Sequence, residues 1–107
     1  MIMTLSQLEK KLSEVVPTYH HEADKAQVPY AVYSEYRKRN VNADNKALDG
    51  WWRVQVDYFT KLRKDPNADR IAVMLTLEEV SHTYARVYEP GSKYVRHIFD
   101  CDGIRDG

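Results

Sequence analysis

Four histidines, a single cysteine and sixteen carboxylates are the side chains of this 107-residue sequence from which a catalytic or metal centre could be assembled. The densest group is His20-His21-Glu22 with Asp24, a mixture of imidazole and carboxylate that suits zinc and its neighbours. Adjacent residues on a strand point to opposite faces, however, and the further imidazoles, His82 and His97, lie far away in sequence. The spacing therefore predicts a solvated loop and no metal. Asp100-Cys101-Asp102-Gly103 has the opening of a calcium loop, but the remaining ligand positions do not follow, which leaves an acidic segment. Cys101 could act as a nucleophile with His97 as its base. Four residues along a strand separate their Cα atoms by about 13 Å, and Asp100 and Asp102 disfavour a thiolate, so an idle, buried cysteine is expected. Four glycines at no phosphate-loop or dinucleotide spacing, and no G-x-S-x-G, complete the survey. This reading gives no catalytic residues, no cofactor and no enzyme.

Two basic clusters, Arg37-Lys38-Arg39 and Lys61-Arg63-Lys64, raise the possibility of a nucleic-acid surface. The chain balances 16 Lys+Arg with 16 Asp+Glu, so the global attraction to phosphate or an anionic membrane is missing. If the segments carrying the clusters pair as a hairpin, the clusters fall at opposite ends, roughly 30 Å apart at ~3.4 Å per residue. Neither nucleic acid nor membrane is an expected partner, and no apolar run approaches the ~20 residues of a membrane-spanning helix. A lone cysteine fits a reducing compartment, and the N-terminal MIMTLSQLEKKL lacks the pattern of a secretory signal.

The elements that must position these groups follow from periodicity. Leu5, Leu8, Leu12, Val15 and Val16 form a helical stripe, opened by the capping-box pair Thr4 and Gln7 and closed by Pro17, which predicts a helix over 4–16. Thr18 onward reads as a short edge strand and a loop. Val28 to Arg39, rich in aromatic and β-branched residues after Pro29, predicts a strand over 30–39. The Asn- and Asp-rich 40–50 segment is a loop or a long hairpin connection. In 51–61, Trp52, Val54, Val56 and Tyr58 alternate with Arg53, Gln55 and Asp57, the clearest strand in the chain. Asp65-Pro66 starts a second helix over 66–80. Runs at 83–88 and 93–101 close as a hairpin through Glu89-Pro90-Gly91-Ser92, with Gly91 expected to supply positive φ in a type II turn. The sum is one α+β domain over 1–107, with a mostly antiparallel sheet of four to five strands and two helices on one face. Trp51-Trp52 and Tyr58-Phe59 put rings on both faces of one strand, and one layer of helices covers only one of them. The other face calls for a partner.

The series VPYAVYSEY at 28–36, NADNK at 42–46 and WRVQVDYFTKLRKDP at 52–66 resembles the tail-terminator, or tail-completion, proteins of long-tailed bacteriophages and prophages. That resemblance implies an α+β subunit which assembles as a ring, commonly a hexamer, on the end of the tail tube, stops tube growth and presents a surface for head attachment. Its partners would be further copies of itself, the tail-tube protein and a head-completion or connector protein. It would reside in the bacterial cytoplasm during assembly and then in the virion tail. Tyr33, Arg37, Trp51 and Phe59 are the expected subunit contacts. The alternative from another class is a small non-enzymatic adaptor, or minor tail or connector protein, that binds another mobile-element protein through the same sheet face.

Overall fold

The computed structural model describes residues 3–23, 26–39, 42–43, 46–47 and 50–107. The chain runs α1 (Leu5–Ser13), β1 (Thr18–His20), β2 (Tyr30–Arg39), β3 (Asn42–Ala43), β4 (Lys46–Ala47), β5 (Trp51–Thr60), α2 (Pro66–Leu77), β6 (Ser81–Glu89) and β7 (Tyr94–Arg105). Five strands form one sheet in the order β1-β2-β5-β7-β6, and β3 and β4 pair as a separate small ribbon within the 40–50 connection. Only β1 and β2 are parallel. The fold is α+β, with both helices packed on the same side of the sheet: Leu8 and Leu12 of α1 and Ile71 and Leu75 of α2 share a core with Ala31, Tyr33, Val54, Val56, Tyr58, Phe99, Cys101 and Ile104.

Helix boundaries are where the structure departs most from the periodicity. The Thr4–Gln7 capping box starts α1 as expected, but the helix ends at Ser13, three residues before the predicted stop. Val15 and Val16 leave it in a tight turn, both donating to the Leu12 carbonyl, and Val16 is still buried. The apolar stripe outlasts the helix because the turn keeps these side chains on the core. Asp65 caps α2 with Pro66 in its first turn, and the helix stops at Leu77 rather than residue 80. Glu79 takes the left-handed position that glycine usually fills (φ 58°), the Val80 N–H returns to the Leu75 carbonyl and the Glu79 N–H to that of Thr76. A helix C-terminus of this kind needs no glycine when the residue after it is buried, as Val80 is.

The final hairpin also closes differently. β6 and β7 are longer than the runs read from sequence, and four residues, 90–93, connect them. Positive φ falls on Lys93 (61°), not on Gly91, and the Lys93 N–H bonds the Glu89 carbonyl at 2.8 Å. A four-residue loop places its left-handed residue last, whereas the two-residue turn would have placed it at Gly91.

Two register shifts flank β5. On β2 the shift lies between Glu35 and Arg37, leaving Tyr36 as the extra residue. On β7 it lies between Cys101 and Ile104, with Gly103 at φ 81°. Each reverses the parity of its strand: Ala31, Tyr33 and Glu35 lie on the helix side of β2, but after the shift Lys38 pairs with the core-packed Trp52.

Candidate functional site

With both helices on one side, no described element packs on the other face of the sheet. The alternation along β5 buries Val54, Val56, Tyr58 and Thr60 and turns Arg53, Gln55, Asp57 and Phe59 outward, beside Arg96, Ile98 and Asp100 of β7. These groups bond to one another. Arg96 Nη2 lies 3.0 Å from Asp57 Oδ2, and Gln55 Nε2 donates to the same carboxylate at 3.0 Å. The Tyr36 hydroxyl donates to Asp100 at 2.8 Å and accepts from Arg53 Nε at 3.2 Å. The Arg96 guanidinium sits 5.7 Å above the Phe59 ring, which stacks on Tyr30 at 4.9 Å. Partly exposed ion pairs such as these contribute about 0–1 kcal/mol each, so this network fixes the positions of arginines and rings more than it stabilises the fold. Arginine and tyrosine held in place are the residue types that anchor protein–protein contacts.

Of the four expected contact residues, Phe59, Trp51 and Arg37 lie on or beside this open face. Phe59 lies toward one end of it, stacked on Tyr30, Trp51 lies under the Arg105 guanidinium at 6.0 Å, and the exposed Arg37 pairs in register with Arg53. Tyr33 does not join them. It is 5% exposed on the opposite face, in the core beneath α1, where burial and then the Glu9 carboxylate push its phenol up to about 12. It lies on the helix side of β2 with Ala31, opposite Val56 of β5.

On the helix side, a cleft of about 510 Å³ lies between the first turns of α2 and the β6–β7 pair, lined by Lys64, Asp65, Asp69, Tyr84, Arg86 and His97, among others. His97 is buried, with Nδ1 2.7 Å from the Tyr84 hydroxyl and Nε2 without a hydrogen-bond partner among the described residues. Burial and then the Arg86 charge hold this imidazole below its ordinary value, against the opposing pull of Asp65 and Asp69. Arg63 and Arg86 also border a second depression, with Lys61, Tyr88 and Lys93. Five cations from three segments thus collect at one end of the molecule. The 61–64 cluster was legible as a basic strand end, but Arg86 and Lys93 reach it only because β7 pairs with the far end of β5, a register that composition does not reveal. The Arg37-Lys38-Arg39 cluster belongs to the opposite end of β5, as the hairpin argument requires: Arg39 pairs with Trp51 and Tyr30 with Phe59.

The chemistry expected of Cys101 is also resolved by its surroundings. The thiol is fully buried, and burial and then Asp100 push it up to about 12, so it is not a thiolate at neutral pH. Asp100 bonds Tyr36 on the face opposite the Cys101 side chain, and Gly103 belongs to the register shift, so the 100–103 segment does not converge on an ion. His20 and His21, in contrast, lie on the same side: His21, just after β1, has φ 67°, which breaks the strand alternation, and both imidazoles reach Glu35 on β2. Glu22 is exposed, and Asp24 lies outside the described residues. Among the described residues no helix is long and apolar enough to cross a membrane.

A scan against protein-family models matched none, and a search of curated proteins found no similar sequence.

Proposed function

We propose that this chain is a non-enzymatic assembly subunit of a phage or prophage tail, a tail-terminator protein that closes the tail tube as a ring, commonly of six, and offers the head-completion or connector protein its attachment surface. The observation that carries the association half of this reading is β6. It is the outer strand of the sheet, nine residues long, exposed over nearly its whole length, and it displays Tyr84, Val87 and Tyr88 to solvent. An open edge of that length presents unpaired backbone donors and acceptors that a neighbouring chain can pair with. The opposite edge, β1, has three residues, so contact between the two unlike sides of successive copies is heterologous, the arrangement that closes into rings. The open face with Phe59, Arg53 and Arg96 supplies a second contact surface. The tail identity and the ring size rest on the resemblance of the 28–36, 42–46 and 52–66 segments.

The test is native mass spectrometry of the full chain at rising concentration, alone and with purified tail tubes, alongside electron microscopy of tails made without it. A discrete ring, or binding to tube ends with overlong headless tubes in its absence, is the expected result. A chain that stays monomeric and ignores tube ends overturns the proposal.

A further inference from the structure

The geometry points to a divalent transition-metal site formed by His20, His21 and Glu35 at the β1 edge of the sheet, with zinc as the ion its ligands suit best. His20 Nε2 lies 2.7 Å and His21 Nε2 2.6 Å from the same Glu35 oxygen, and the three potential ligand atoms fall within 4.8 Å of one another. Two imidazoles and one carboxylate with an open position are a common ligand set for Zn²⁺.

Two features of the backbone build this arrangement. The parallel register sets His20 opposite Tyr33, so Glu35, two residues on, lies on the same face of the sheet as His20. Left-handed backbone at His21 then folds the second imidazole back onto the first, their centroids 3.9 Å apart. The His20 ring is held from behind by Tyr33, stacked at 4.6 Å and 15°. The His21 side chain is about half exposed (54%), whereas the Glu35 side chain is mostly covered (13%). One ligand is therefore fixed by stacking and one by burial, and the third is free to swing. Ligand atoms around a tetrahedral zinc lie about 3.3 Å apart, so entry of the ion requires both imidazole nitrogens to draw back from the Glu35 oxygen by roughly 0.6 Å, a small shift at His20 and the larger movement at the exposed His21. The ion takes the place now occupied by the two imidazole hydrogens aimed at Glu35, each ring carrying its proton on Nδ1 instead, and water fills the solvent-facing position. Its structural effect is to clamp the three-residue β1 to β2 across a separation of 15 residues.

The experiment is titration of the full chain with Zn²⁺ by calorimetry and with Co²⁺ by visible absorption, with thermal melts of the same samples. The expected outcome is one ion per chain, a dissociation constant of about 1 µM or lower, a tetrahedral Co²⁺ spectrum and a raised melting temperature. Glu35→Gln and His21→Asn each weaken binding by at least about tenfold, whereas His82→Asn, remote from the cluster, leaves it unchanged. Binding only near millimolar ion, or binding that Glu35→Gln and His21→Asn do not alter, overturns the site. Circular dichroism of the metal-free variants confirms that any lost affinity is not lost fold. The result is independent of ring assembly, since the ligands all come from one chain.

Discussion

At the start of α2 one carboxylate serves two partners. Asp65 Oδ1 accepts from the Asn67 N–H at 2.8 Å, and Oδ2 accepts from the Tyr58 hydroxyl, itself in the core, at 2.6 Å. Burial alone would raise this carboxyl, but hydrogen bonds from Thr60, Tyr58 and the Asn67 N–H outweigh it and hold the group below its ordinary 3.8. A depressed folded value stabilises above the unfolded one and is lost as pH falls through the folded one, so Asp65 adds to acid unfolding below pH 3.8. Asp65→Asn, which keeps a cap, is expected to flatten the stability curve in that range. Asp65→Ala removes the cap and orphans the Tyr58 hydroxyl, and costs about 2–4 kcal/mol in urea unfolding at neutral pH. His97 acts in a higher window. Its folded value lies below 6.5, so the unfolded chain takes up the proton first and stability declines as pH drops under 6.5. His97→Gln should remove that decline between pH 5 and 7, measured as denaturation midpoints against pH. Asp65 was legible in the sequence as a cap, but its bond to Tyr58 was not, because that contact depends on how far the 61–64 connection carries α2 back over β5.

Among the elements, the loop of the last hairpin offers the sharpest contrast. Lys93 holds φ 61° with a side chain that disfavours it, so Lys93→Gly is expected to stabilise by about 1 kcal/mol. Gly91→Ala places a Cβ in open space at ordinary φ and should change stability by less than about 0.5 kcal/mol. Reversal of those two outcomes in thermal melts would restore the type II turn read from sequence. The strands themselves were legible because half-buried sheets write their period of two into the residues, as 51–60 does. Helix ends were not, since Val15, Val16 and Val80 stay buried beyond the last helical turn and prolong the apolar pattern. Tyr33 was misplaced for a related reason: it belongs to an aromatic run, and only pairing with Val56 decides which face each ring takes. The His20-His21 pair stood out in the sequence, but its convergence on Glu35 did not, because left-handed backbone at a histidine leaves no mark there.

The whole molecule is elongated, 51 × 26 × 21 Å, with a sheet face that no described element covers, one long edge strand and a cationic end. Assembly through β6 predicts that Val87→Asp with Tyr88→Asp abolishes ring formation or tube binding while circular dichroism stays native, because both side chains are exposed and leave the core untouched. Analytical ultracentrifugation of the double variant beside the parent chain decides it. An unchanged oligomer would move the contact to the open face, where Phe59→Ala becomes the informative substitution.

The paired register shifts on either side of β5 have a consequence for how the sheet opens. Both interrupt their ladders at the level of Arg53, so a crease crosses three strands at one height. Bulges weaken pairing and add twist where they occur. Solvent deuterium should therefore enter first along that line, at the amides of Tyr36 and Gly103, and the sheet should behave as two exchange blocks. One is the long block centred on Val54, Val56 and Tyr58, shielded until global unfolding. The other is the shorter block around Trp52 and Ile104, whose breathing is restrained by Asp106, which accepts from Lys38 Nζ at 2.8 Å and from Trp52 Nε1 at 2.5 Å.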